Sequence, residues 1–331
     1  MDRPNAVLPL RRGPRVSVVI PVYNEESVLP ELFTRLYPAL DAMGRTYECI
    51  FVDDGSRDRS VALLRAQYSV RPLETRIIVL QTNFGQHAAI LAAFEQSRGE
   101  VVVTLDADLQ NPPEEIARLL AAIDAGHDYV GTIRRERRDS WLRKWPSRFV
   151  NAVRQRTTRI DITDHGSMLR AYSRNIVDAV NASREVITYI PALGYLYARS
   201  PTEIEVAHEA RFAGQSKYSM YKLIRLNFDL MTGFSLAPLR FFSMLGMVVA
   251  SLSAMLFVLL AVRRLIIGPE AEGLFTLFAI AFFLIGLGLF GIGLIGEYVG
   301  RIYEQVRVRP RYLIASILES EPAAEREKSR V

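Results

Sequence analysis

The chain has 331 residues, 50% hydrophobic and 23% charged, with 41 Lys and Arg against 36 Asp and Glu for a formal charge of +5. That excess is too small for a dedicated nucleic-acid binder, and the length suits one large or two modest domains. A single cysteine, Cys49, excludes an intramolecular disulfide and any cysteine-based metal cluster; lying in an apparent strand, it reads as a buried structural thiol.

The opening stretch "MDRPNAVLPLRRGPRVSVVI" has no long apolar core before Arg11 and no small-residue cleavage site, so a secretory signal is excluded and residues 1–14 form an N-terminal extension. From Arg15 to about Thr132 the apolar runs "VSVVIPV", "YECIFVD", "RIIVL", "VVVTLD" and "DYVGT" alternate with helix-like segments such as "EESVLPELFTRLYPAL" and "GQHAAILAAFEQS". This alternation predicts an α/β domain with a mainly parallel sheet and helices on both faces. Such sheets bind ligands beyond the carboxyl ends of their strands. Polar clusters fall there repeatedly: Asn24 and Glu25 after the first run, Asp53 and Asp54 after the second, Asn83 after the third, Asp106 and Asp108 after the fourth. One cluster could be a turn and a helix cap; four at one edge describe a site. His87 follows the third run and suits either a sugar contact or a local hydrogen bond at a helix start.

Residues 134–159 hold ten Lys or Arg against two acids, with Trp141, Trp145, Phe149 and Val153 spaced along one helical face. This basic amphipathic segment fits an anionic membrane surface or lipid phosphate; nucleic acid and a helix packing its tryptophans on the core are the competing readings. Residues 218–238 mix aromatics, aliphatics and a few cations in the manner of interface helices. Two charge-free runs follow, Phe241 to Val262 and Gly273 to Gly296, about 22 and 24 residues, each long enough to cross a bilayer as a helix. Transmembrane helices are therefore expected over 239–266 and 273–297. Lys217, Lys222, Arg225 and Arg240 precede the first span and Arg301, Arg307, Arg309 and Arg311 follow the second. Arg263 and Arg264 in the connection are offset in part by Glu270 and Glu272, so positive-inside bias favours both termini in the cytoplasm. Residues 298–331 then form a cytoplasmic tail, its end "ESEPAAEREKSRV" expected to be disordered.

The Asp106-x-Asp108 pair has the chemistry of a divalent-cation site, because one or two carboxylates plus substrate phosphates complete the octahedron that Mg2+ or Mn2+ prefers. Alone the triplet is weak, since chance produces it about once in a chain this long. No glycine-rich phosphate loop follows the first strand, where "PVYNEE" stands, which disfavours a P-loop kinase or a Rossmann dehydrogenase. A nucleotide held by acids and amides on strand ends, its diphosphate bridged to protein by metal, is what remains.

The stretches "VSVVIPVYNEE", "FVDDGSRDRS" and "TLDADLQNPPEE" resemble family 2 inverting glycosyltransferases of the GT-A fold, and "DLQNPPEE" resembles the subgroup that loads sugars onto polyprenyl phosphates. "NFGQHAAILAAF", "GTIRRERRDSW", "SMLRAYSRNIVDA", "GQSKYS" and "GEYVGRIYEQVRVRPRY" extend the resemblance over about residues 15 to 313. It implies a GT-A nucleotide-sugar-binding domain over 15–217, followed by the interface helices and the two transmembrane helices, in a multi-pass protein of the bacterial inner membrane. It further implies inverting transfer of 4-deoxy-4-formamido-L-arabinose from a UDP-sugar donor to undecaprenyl phosphate, in lipid A modification, with Mg2+ or Mn2+ as cofactor and a homotetramer as assembly. UDP-glucose and GDP-mannose are the alternative donors. A processive synthase is disfavoured by the missing Q-x-x-R-W type motif, and a catalytically silent scaffold by intact acids at every strand end.

Position by position, the resemblance places Pro21, Tyr23, Glu25, Asp53, Asp54 and Asn83 at the nucleotide, and Asp106 and Asp108 at the metal and diphosphate, with Asp108 the direct ligand. Asp164 falls on the residue proposed in relatives as base or acceptor-site group; since a phosphate monoester is already largely dianionic at neutral pH, an orienting role is expected of it. Arg170, Arg211, Ser216 and Lys217 are assigned to the acceptor and donor phosphates. His165 and Ser167 depart from the family pattern, which bears on local sugar contacts.

Overall fold

β-Branched and aromatic runs bounded by turn residues become strands, and the leucine-spaced segments between them become helices. The structure is a computed structural model and describes residues 14–134, 162–164, 166–183, 189–209, 237–267, 274–306 and 310–320. In chain order the elements are β1 (Val16–Val22), α1 (Leu29–Asp41), β2 (Tyr47–Asp53), α2 (Ser60–Val70), β3 (Thr75–Leu80), α3 (Gln86–Gln96), β4 (Val101–Thr104), α4 (Ile116–Asp124) and β5 (Tyr129–Arg134). There follow β6 (Arg170–Ser173), α5 (Arg174–Ala182), α6 (Ile190–Tyr197), β7 (Pro201–Val206), α7 (Ala237–Ile267), α8 (Leu274–Val306) and β8 (Ile314–Leu318).

The strands form one sheet in the order β7-β5-β6-β4-β1-β2-β3-β8. β1 is parallel to β2 and β4, β2 to β3, and β5 to β7, while β6 and β8 run antiparallel to their neighbours. Both faces are covered, as the unbroken apolar strands require. On one face Val18, Ile20 and Phe51 pack with Leu32, Leu36 and Leu40 of α1 and Leu119 of α4; on the other Val19, Ile50 and Ile78 pack with Ile90 and Phe94 of α3 and Val177 of α5. Cys49 is fully buried, and burial pushes its thiol pKa well up, in keeping with a structural thiol.

All five strands read from the sequence are present, with β4 ending two residues sooner than "VVVTLD". The antiparallel β6, inserted between β4 and β5, is an addition: "RAYS" is too short to show a period. β8 lies within the stretch 298–331 read as a tail, ahead of the end expected to be disordered, and its place in the sheet carries the domain beyond residue 217. Residues returning from α8 close the sheet edge, with Gln81 N donating to Leu313 O (2.9 Å) and Glu319 pairing with Arg76 and Arg98 (2.8 Å each). Beneath that edge runs a buried polar ladder across three strands. Ser17 Oγ donates to Glu48 Oε1 (2.6 Å), and Arg76 Nη1 donates to Glu48 Oε2 (2.9 Å).

Residues 239–266 of the first expected span fall within the helix α7, and nearly all of the second, 273–297, falls within α8. Within α8, Ile280–Gly300 is long and apolar enough to cross a membrane, with a mean hydropathy of 2.1 and only 11% of its most apolar stretch buried. α7 and α8 meet with the Phe242 ring 5.5 Å from that of Phe290. Gly291 makes this possible, since a Cβ there would overlap the Phe242 ring. The basic segment after Arg134, including Trp141, Trp145, Phe149 and Val153, and nearly all of the interface segment 218–238 lie outside the described residues.

Candidate active site

Two strand-end loops are braced against each other. Asn24, at φ 54, accepts from Arg57 N through Oδ1 (2.8 Å) and donates its own N to Ser56 Oγ (2.9 Å). Glu25 contributes main chain here, its N donating to Ser60 Oγ (2.9 Å) and its carbonyl accepting from Val28 and Leu29 at the start of α1. Gly55 sits at φ +72 with its missing Cβ only 2.6 Å from the Thr82 carbonyl carbon, so no other residue fits between the β2 and β3 loops.

The result is a cleft of about 340 Å³ lined by Tyr23, Asp53, Ser56, Arg57, Thr82 and Asn83 among others. Asp53 is 1% exposed; its Oδ2 accepts from Ser56 N (3.1 Å), while Oδ1 has no hydrogen-bond partner. A buried carboxylate oxygen without a donor is costly, and an N–H or O–H of a nucleoside would satisfy it. Tyr23, 38% exposed, offers a ring at the same cleft. Pro21 is half-buried on β1 opposite Val52.

Asp54 departs from its expected place in the nucleotide pocket. It is buried and both oxygens are engaged by the α3 entry, accepting from Phe84 N (2.7 Å) and Gly85 N (2.9 Å). Burial raises its pKa, the two amides opposing that rise. Asp54 therefore shapes the loop that carries Asn83, whose Nδ2 donates to the Asp54 carbonyl (3.2 Å).

At the end of β4, Asp106 accepts from Gln86 Nε2 (2.6 Å) and Asp108, 8% exposed, accepts from Gln110 N (3.1 Å). Among the described residues no three His, Cys, Asp or Glu side chains gather closely enough to cage a metal. A cation here would complete its shell with oxygens of a diphosphate, the usual arrangement for Mg2+. The carboxylate pair fits that donor set.

Asp164 faces the same end of the sheet. It is 2% exposed and takes a two-pronged bond from Arg134, Nε to Oδ2 at 2.6 Å and Nη2 to Oδ1 at 2.8 Å, with Gly166 N donating to Oδ1 at 2.9 Å. Arg170 corrects the sequence reading. Fully buried, it cannot meet an acceptor: Nη2 donates to the Asp164 carbonyl (2.6 Å), Nε to the Ser167 carbonyl (3.0 Å) and Nη1 to the Tyr129 hydroxyl. It holds the Asp164 loop from below. Ser167 is also buried and shares a 2.6 Å hydrogen bond with Thr132, so this departure from the family pattern falls in the core. His165, Arg211, Ser216 and Lys217 lie outside the described residues.

Two site residues escaped the sequence reading. Arg134 stood at the head of the basic run, where nothing separated it from its neighbours. His208, just past β7, lies among Arg134, Asp164 and Asp108; burial and then the Arg134 charge lower its pKa, the two carboxylates opposing. Its only signal was a histidine directly before the expected phosphate loop. His87 Nδ1 is buried without a partner, its ring edge-on to Tyr189 with centroids 5.3 Å apart, and burial lowers its pKa to about 4.

The family model for glycosyl transferase family 2 matches residues 17–180. The chain is 49% identical over 307 residues to an undecaprenyl-phosphate 4-deoxy-4-formamido-L-arabinose transferase from Aeromonas hydrophila subsp. hydrophila, covering 92% of this chain and 94% of that relative. A relative of the same name from Pseudomonas paraeruginosa is 51% identical over 311 residues, 93% of this chain and 92% of its own. Among solved structures, one described as a mycobacterial protein shares the fold at a TM-score of 0.50 and 17% identity, covering 68% of this chain and 74% of its own.

Proposed function

The chain belongs to glycosyl transferase family 2, and from that premise we propose that it moves 4-deoxy-4-formamido-L-arabinose from UDP to undecaprenyl phosphate with inversion at the anomeric carbon. The observation that carries this is 49% identity over 92% of the chain to a transferase of that name. The strand-end geometry supplies what the reaction needs.

The nucleoside occupies the cleft of Tyr23, Asp53 and Asn83, where Asp53 Oδ1 accepts from it. Asp106 and Asp108 would hold Mg2+ or Mn2+. When bound, the metal would supply positive charge to offset that which grows on the departing UDP. The acceptor is a phosphate monoester with a second pKa near 6, so an oxygen able to attack is present at neutral pH. Asp164, occupied by Arg134 and Gly166, orients the acceptor side of the site without removing a proton. Arg211, Ser216 and Lys217 are assigned to the phosphates, where cations offset the repulsion between a dianionic acceptor and an anionic donor.

Acting on such a lipid, the enzyme would work at the bacterial inner membrane. Apolar side chains of α8 such as Phe282, Phe283, Leu289 and Ile292 are exposed at 63–70%, which suits lipid better than water. β7 and β8 belong to one sheet although α7 and α8 lie between them in the chain. If α8 crosses the bilayer, the chain must cross back to join that sheet, and α7 is the helix that does so. This supports two spans with the catalytic domain and both termini on the cytoplasmic side.

The test is mass spectrometry of lipid after incubating purified protein in detergent with undecaprenyl phosphate, a divalent metal, and equimolar UDP-4-deoxy-4-formamido-L-arabinose and UDP-glucose. A formamido-arabinosyl lipid is expected. A glucosyl lipid would keep the mechanism and replace the donor, and no product with either would reject the proposal.

A further inference from the structure

We propose that Arg35, on α1, is a positioning residue of the reaction, acting through Glu209 to hold the strained turn that carries Asp108; this rests on the transfer proposed above. The turn needs holding. Leu109, next to Asp108, stands at φ 59, a conformation that a bulky side chain keeps only where its surroundings enforce it. With Asn24 it is one of two non-glycine residues at positive φ among the described residues. The residue that follows is engaged on both sides: Gln110 N donates to Asp108 Oδ1 (3.1 Å), and Gln110 O accepts from Glu209 N (3.0 Å). Relaxation of Leu109 to an ordinary φ would disturb both bonds and move the Asp108 carboxylate with them.

Glu209 comes from just past β7, about one hundred residues further along the chain, and Arg35 fixes it in place. The guanidinium is forked between two carboxylates. Nη1 donates to Glu209 Oε2 (2.9 Å) and Nη2 to Glu209 Oε1 (3.0 Å), while Nε donates to Glu114 Oε1 (3.1 Å) and Nη2 also to Glu114 Oε2 (3.0 Å). Glu114 belongs to the short turn Pro113–Glu115 at the other end of the Asp108 loop, and its neighbour Glu115 accepts from Ala207 N (3.3 Å). The Arg35 side chain is only 25% exposed, and α1 packs through Leu32 and Leu36 in the same core cluster as Leu109 and as Val206, the last residue of β7. One planar cation on a well-packed helix thus clasps the two segments that meet at Gln110. Lysine keeps the charge but has no fork with which to grip both carboxylates at once. The cleft of Tyr23, Asp53 and Asn83 is lined by none of these residues, so loss of the clasp should act on turnover rather than on donor binding.

The experiment takes the full chain in detergent and measures steady-state formation of the formamido-arabinosyl lipid together with hydrogen exchange of peptides spanning 107–111 and 207–209. Arg35→Lys should melt within a few degrees of wild type and lower kcat roughly tenfold or more, with the donor KM changed less than about threefold. Exchange in both peptides should quicken about tenfold. Arg35→Gln and Glu209→Gln should act in the same way, and the double variant should lose no more kcat than Arg35→Gln alone, because one clasp is broken in each. Arg71→Lys is the control: it breaks a similarly exposed two-pronged pair with Asp41 at the far end of α1 and should leave kcat and both peptides unchanged. Unchanged exchange in the Arg35 variants would overturn the clasp. Quickened exchange with kcat intact, multiplicative losses in the double variant, or an equal loss in Arg71→Lys would reduce Arg35 to an ordinary stabilising ion pair. Wild type that forms no sugar lipid would instead reject the transfer reading, with exchange still deciding whether Arg35 holds the turn.

Discussion

Asp164→Asn separates an orienting carboxylate from a general base. The substitution keeps the size of the side chain but replaces one oxygen by an NH2 group, and Asp164 uses both oxygens: Arg134 donates at 2.6 and 2.8 Å, and Gly166 N at 2.9 Å. If the amide keeps its oxygen toward Gly166, its NH2 faces the Arg134 Nε–H, donor against donor. The Asp164 side chain is 3% exposed and that of Arg134 20%, so the arginine loses a partner where water only partly replaces it. Breaking a fully buried pair costs about 3–5 kcal/mol, and the residual exposure of Arg134 reduces this to about 2–4 kcal/mol. Thermal unfolding of the detergent-solubilised protein should shift down by about 5–10 °C.

Turnover should fall by a similar factor at every pH from about 6.5 to 9, because the acceptor phosphate, with a second pKa near 6, needs no base in this range. Arg134→Lys, which cannot make the two-pronged bond, should act in the same direction. An Asp164→Asn protein as stable as wild type would refute the structural part of the reasoning. A pH profile whose acidic limb is present in wild type and absent only in this variant would refute the chemical part and restore Asp164 as the base.

Gly55→Ala forces a side chain to φ +72 and within 2.6 Å of the Thr82 carbonyl carbon; a loss of about 2 kcal/mol or more and weaker UDP binding in calorimetric titration are expected. Glu319→Gln removes the carboxylate shared by Arg76 and Arg98, but Arg76 keeps Glu48 and Glu319 is 35% exposed, so about 1 kcal/mol is expected by chemical unfolding. Truncation before Ile314 removes β8 altogether and should cost more than Glu319→Gln in the same measurement. His87 has its pKa lowered to about 4 in the folded protein by burial, below the ordinary 6.5. Its contribution is complete above pH 6.5 and is lost as pH falls from 6.5 toward 4, about 2 kcal/mol less at pH 5 than at pH 7.5. His87→Gln should flatten the slope of stability over that interval.

The parts of the fold that were legible in the sequence are those whose information is local. β1 to β5 announce themselves as unbroken apolar runs, because a strand buried on both faces admits little else, and Asp53, Asn83, Asp106 and Asp108 stand just past them where ligands are met. What escaped depends on contacts between distant segments. Arg170 reads like any cation after an apolar pair, yet its guanidinium is fully buried against Tyr129 and the Asp164 carbonyl. Asp54 cannot be told from Asp53 by type or spacing; only the fold shows that one faces the cleft and the other grips the amides of Phe84 and Gly85. β8 is short, amphipathic and followed by a charged tail, and its pairing with β3 spans more than two hundred residues of chain.

The two ends of the sheet divide rigidity from chemistry. At the end where β1 to β3 begin, Glu48 accepts from Ser17 Oγ (2.6 Å), Arg98 N (2.7 Å) and Arg76 Nη1 (2.9 Å), which satisfies a nearly buried carboxylate within the protein. At the opposite end Asp53 Oδ1 and Asn111 Oδ1 are buried without partners, and His208 Nδ1 beyond β7 is likewise unmatched. Buried polar groups left unpaired cost about 1–3 kcal/mol each, so those at the ligand-binding end are a local destabilisation that a bound donor can relieve. Ligands that relieve it should raise the melting temperature in proportion to how many of these atoms they satisfy. In the proposed reaction UDP would reach Asp53, and UDP with a divalent cation would reach the Asp106 and Asp108 side as well. Stabilisation by UDP with Mn2+ should therefore exceed the sum of the two added separately, because the diphosphate and the protein complete one another's shell around the cation. Simple additivity in a thermal-shift titration would place the nucleotide and the cation in independent sites.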